Sequence, residues 1–106
     1  MFLYLYLNFY FFMNTTPINS SESDLVKRAK TLRTIAHPVR LQIIKSLGVK
    51  KSLTVSALKK TLVPEIEQSM LSHHLIKMKD NGILRSKKVG KFNHYSLSDI
   101  ELLKVI

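Results

Sequence analysis

The sequence predicts a mainly α-helical domain closed by a small β-hairpin. Three observations lead there. Apolar residues recur at helical spacing from about residue 22 to about residue 81. The period then shortens to a strand-like alternation over residues 83–97. Between the periodic runs fall the punctuating pairs His37-Pro38, Val63-Pro64, Asn81-Gly82 and Gly90-Lys91. A chain of 106 residues suits one domain, taken as residues 22–106, behind a leader over residues 1–21.

The elements follow in order. Leu25, Ala29, Leu32 and Ala36, with Val26 and Ile35 beside them, draw one apolar helical face, with Ser20, Ser21 or Ser23 as its cap. His37-Pro38 interrupts, because proline disfavours helix at the residue before it and suits a first helical turn. A second helix therefore starts near Pro38, turns Leu41, Ile44 and Leu47 inward, and has Gly48 as its stop. Thr54 caps a short third helix containing Val55, Leu58 and Leu62, which Val63-Pro64 ends. A fourth helix runs from about Glu67 to Asn81 on the stripe Leu71, Leu75 and Met78, stopped at Asn81-Gly82. Strands over 83–88 and 92–97 are joined across Val89-Gly90-Lys91, and residues 98–106 form a closing helix with Ile100, Leu103 and Ile106 on one side.

Composition narrows the function. Lysine and arginine outnumber aspartate and glutamate by 17 to 7, a net charge of +10 that points to a polyanion. Nucleic acid comes first and an anionic membrane surface second. The absence of cysteine excludes disulfides, thiol catalysis and thiolate metal sites, and fits a reducing cytoplasm. Residues 1–13 carry no charge and are shorter than the roughly 20 residues of a membrane span. They also lack the basic start and the small-residue cleavage site of a secretory signal. Three readings stay open there: translation beginning at Met13, a membrane anchor, or an apolar arm docked on the domain.

Three stretches carry a family resemblance. His37-Pro38-Val39-Arg40-Leu41 opens the second helix. Gln68-Ser69-Met70-Leu71-Ser72-His73-His74-Leu75, with Met78 and Gly82-Ile83-Leu84, makes the fourth helix and its exit. Gly90-Lys91 and Tyr95-Ser96-Leu97 fall in the hairpin. In this order they resemble the ArsR-type repressors, which implies a winged helix-turn-helix, dimeric through its first and last helices. The fourth helix is then the recognition helix and the hairpin the wing. The function implied is a sequence-specific DNA-binding regulator, a dimeric repressor or autorepressor on a double-stranded operator.

Helical geometry supports that reading without the family. Each residue turns about 100°, so when Leu71, Leu75 and Met78 face the core, Ser69, His73 and Lys77 face away, with Ser72 and Ile76 along one flank. Small polar groups at the entering end of a helix suit base reading in a major groove. Ser69, Ser72 and His73 are the expected base readers, with Gln68 second to them, either at the rim or serving the helix start. Lys77, Arg85, Lys87, Lys88 and Lys91 are expected to attract phosphates. His74 lies at the edge of the buried stripe and reads as a packed, hydrogen-bonded histidine. Arg40 either reaches a phosphate or ties the second helix to its neighbours.

Effector and catalytic chemistry are harder to find. Some ArsR-type proteins sense metals through cysteines at the start of the third helix, and the matching stretch here is Leu53-Thr54-Val55-Ser56. Others use aspartate and histidine on the last helix, which here holds Asp99 and Glu101 but no histidine. No metal site and no cofactor is expected. Neither a nucleophile-base pair nor a glycine-rich phosphate loop is present, so no enzyme is expected. The alternatives are a winged-helix RNA- or protein-binding module, and a membrane-tethered regulator depending on residues 1–13.

Overall fold

The computed structural model describes residues 22–105; the apolar leader, Ser20, Ser21 and Ile106 lie outside them. The chain forms α1 (Glu22–Ile35), α2 (Pro38–Lys50), β1 (Leu53–Thr54), α3 (Val55–Thr61), α4 (Gln68–Asp80), β2 (Leu84–Val89), β3 (Phe92–Leu97) and a terminal 3-10 helix (Ile100–Val105). This is the winged helix-turn-helix order. One core runs through it, built on Ile35 of α1, Ile43, Ile44 and Leu47 of α2, Leu58 of α3, the Leu71-Leu75-Met78 stripe of α4, and Tyr95. Leu71, Leu75 and Met78 are fully buried, each stabilising the fold by about 1.5–3 kcal/mol.

The punctuation works as the residue types demand. The His37 Nδ1 accepts the Val39 N–H at 3.2 Å, capping α2 ahead of Pro38. The Thr54 hydroxyl accepts the Ala57 N–H at 3.3 Å, capping α3. At the end of α4, Gly82 takes φ +75. Its N–H reaches the Lys79 carbonyl at 3.0 Å and the Ile83 N–H reaches that of Met78 at 2.9 Å, while Met78 and Ile83 are buried together. This Schellman closure turns the chain straight into the hairpin. Gly90 takes φ +62 at the first centre of the two-residue hairpin turn, where glycine is cheapest.

Four expectations need correction. Gly48 does not stop α2, which runs on to Lys50 and closes at Lys51 with φ 67. The glycine instead admits the terminal helix, because a Cβ there would overlap the Leu103 side chain. Ser23 falls inside the first turn of α1 rather than before it. The closing segment is 3-10, and it buries Leu102 while leaving Ile100 exposed. The sheet has three antiparallel strands in the order β1-β3-β2, because Leu53 and Thr54 pair with Tyr95 and His94. The apolar face of α1 does exist, but in one chain only Ile35 is buried, while Leu25 and Val26 stand 49% and 60% exposed.

Candidate nucleic-acid interface

With the Leu71-Leu75-Met78 stripe inside, α4 shows solvent the face the sequence assigned to it. Gln68, Ser69, His73 and Lys77 are exposed and Ser72 is half-buried. Ile76 is also exposed and lies between Ser72 and Ser69 around the helix, on one flank of that face. An apolar side chain there can meet a thymine methyl group, a role the sequence reading did not give it.

The wing separates its cations. Arg85, Lys87, Lys88 and Lys91 are all exposed, yet they do not form one cluster. Strand register pairs Lys88 with Asn93 and Ser86 with Tyr95, so Lys88 shares the face of buried Leu84 and Tyr95. Arg85 and Lys87 point to the other face, with Ser96 and His94. Lys91 sits in the turn between β2 and β3. The ion pairs Lys59–Glu65 and Lys104–Glu101 involve none of these groups, and none of them has an acidic partner among the described residues.

Beneath α4, the choice left open for Arg40 resolves. Its Nε donates to the His74 Nδ1 at 3.0 Å and its Nη1 donates to the Thr34 carbonyl at 2.9 Å. Arg40 therefore ties α2 to both α1 and α4. His74 is buried, as its position on the stripe predicted, and the His37 ring lies tilted against it with centroids 4.6 Å apart. Accepting at Nδ1 puts the neutral ring's proton on Nε2. Burial first, then the positive charges of His37, Arg40 and His73, pull the His74 pKa below its ordinary 6.5. A folded-state pKa below the unfolded one gives stability that is complete above about 6.5 and is lost as pH falls through the folded value. Thermal unfolding should accordingly show the wild type weakening below pH about 6.5. His74→Gln, which keeps an acceptor for Arg40, should lose less over the same interval. Parallel curves for the two proteins would remove His74 as the cause.

Among the described residues no three histidine, aspartate or glutamate side chains converge as a metal site, and no helix is long and apolar enough to cross a membrane.

Similarity to known proteins agrees with this geometry. A helix-turn-helix domain family matches residues 35–87, from the end of α1 into the wing. The transcriptional repressor PagR of Bacillus anthracis is 33% identical over 78 residues, covering 74% of this chain and 76% of PagR. Its crystal structure superposes with a TM-score of 0.69 at 30% identity, over 79% of this chain and 95% of that one. HlyU from Vibrio cholerae superposes with a TM-score of 0.69 at 32% identity, over 78% and 94% of the two chains. A possible transcriptional regulator for arsenical resistance gives 0.62 at 26%, over 72% and 76%. Family match, repressor kinship and wing geometry agree: the chain belongs to the ArsR-type family of winged helix-turn-helix transcriptional regulators.

Proposed function

We propose that the chain is a homodimeric, sequence-specific repressor of a double-stranded DNA operator, and that residues 22–106 are its working unit. One observation carries the reading: α4 buries its apolar stripe completely and turns Ser69, His73, Ile76 and Lys77 outward beside an uncompensated basic wing. Base reading falls to Ser69, Ser72 and His73, with Gln68 at the rim. Lys77, Lys88 and Lys91 supply phosphate contacts, while Arg85 and Lys87 add to the attractive field from the far side of the wing. The exposed Leu25 and Val26 of α1 and Ile100 of the terminal helix are the apolar surface a second copy would cover. The repressor kinship supports the direction of control. A transcription regulator of this kind works in the cytoplasm and needs no catalytic group. Its signal is not a metal in this reading, since the Thr54 hydroxyl is occupied in capping α3 and no thiolate exists.

Competition binding on operator and scrambled duplexes tests the assignment. A base contact discriminates by about 1–3 kcal/mol, whereas a phosphate contact weakens all sequences alike. His73→Ala should therefore cut the ratio of operator to scrambled affinity by about tenfold or more. Lys91→Ala should lower both affinities together. Altered preference in Lys91→Ala with none in His73→Ala would move the reading element from α4 to the wing.

A further inference from the structure

Where α3, α4 and the wing meet, the surface folds into a cleft of about 230 Å³ lined by Thr54, Val55, Ser56, Gln68, Lys91, Phe92 and Asn93. The lining holds no acid. Lys91 contributes a positive charge, and the side chains of Ser56, Gln68 and Asn93 have no hydrogen-bond partner among the described residues. Thr54 is already committed to the α3 cap. Three neutral hydrogen-bonding groups and one cation, converging from three elements, are the donor set a phosphate diester needs. Phe92 adds an exposed apolar wall suited to the sugar attached to it.

We infer that this cleft seats one backbone phosphate of the bound duplex and thereby fixes the register of α4 in the groove. The inference rests on the DNA-binding reading above. It adds Ser56 and Asn93, which neither the helix pattern nor the charge count marked. It also gives Gln68 a phosphate to hold rather than a base. In a helix-turn-helix the helix before the recognition helix crosses the backbone that borders the groove. A strand of DNA running along the groove occupied by α4 would pass the start of α3 and the wing tip together, and the cleft lies between those two points.

Neutral donors leave a distinctive signature. They bind phosphate without displacing a counterion themselves, so removing them lowers affinity at every salt concentration and leaves the salt slope unchanged. Ser56 and Asn93 are both exposed, so the variant pair Ser56→Ala with Asn93→Ala should fold normally, as a thermal melt will check. Its affinity for a short random-sequence duplex should fall about tenfold, with the wild-type slope of log affinity against log salt. Lys91→Ala should instead make that slope shallower. A wild type that binds no duplex overturns the DNA-binding reading itself. A wild type that binds, with a double variant that binds equally well, overturns the cleft alone. Inorganic phosphate that binds the wild type but not the double variant, yet leaves DNA affinity unchanged at matched ionic strength, would assign the cleft to a free anion and overturn it too.

Discussion

Raising the salt from about 50 to about 200 mM should weaken duplex binding about a thousandfold. The figure follows from the wing's geometry. Strand alternation leaves Lys88 on the face that carries Asn93 and sends Arg85 and Lys87 to the other. With Lys77 on α4 and Lys91 in the turn, the proposed reading has three cations per protomer touching phosphate. The proposed dimer would thus neutralise about six, which gives a log–log slope of about −5. Fluorescence anisotropy over a salt series measures it directly. If all five predicted cations engaged in both protomers the slope would steepen to about −9, so the measurement also reports how much of the wing meets DNA. A slope near zero would remove electrostatics as the source of affinity.

Leu102→Asp should unfold the domain, whereas Leu25→Asp or Val26→Asp should only take the proposed dimer apart. The family resemblance pointed to the first and last helices as one dimer surface, and the structure separates their residues. Leu102 is 4% exposed and belongs to the core, against 61% for Ile100. Truncating a buried leucine costs about 2–5 kcal/mol, and an unpaired buried carboxylate adds to that. The sum approaches the whole stability of a domain this size, typically about 5–15 kcal/mol. Leu25 and Val26 carry no such burden, since both are already about half or more in solvent. Circular dichroism and sedimentation on the three variants separate the outcomes. A folded, monomeric Leu102→Asp would mean that the terminal helix belongs to the interface rather than the core.

Much of this was readable before the fold. The stripe of α4 and its outward face follow from helical period alone, because three fully buried positions fix the rotation of every other residue. Thr54 and Gly82 announced their roles, since only certain side chains and φ values satisfy helix ends. What escaped was nonlocal. A two-residue strand has no period to detect, and β1 exists only because Tyr95 and His94 come alongside it. Gly48 looked like a stop because its partner, Leu103, arrives from the far end of the chain. Arg40 stayed ambiguous because its acceptor, His74, lies 34 residues away. The wing's lysines read as one cluster in sequence, and the pleat divides them. The cleft at Ser56 and Asn93 needs three elements at once, which no local pattern foreshadows.

The short β1 pairing has a mechanical consequence. Thr54 holds the start of α3 through its side chain and lies in register with His94 of the wing through its backbone. The hairpin is therefore not a free arm but a strut braced against the helix-turn-helix. The brace ties the base of the wing to the start of α3, so a duplex that spans α4 and the wing meets a spacing that the fold helps to set. A duplex whose groove width or bend does not match must itself deform, at an energy that depends on its base steps. Selection among sequences would then extend to base pairs that no side chain of this chain touches.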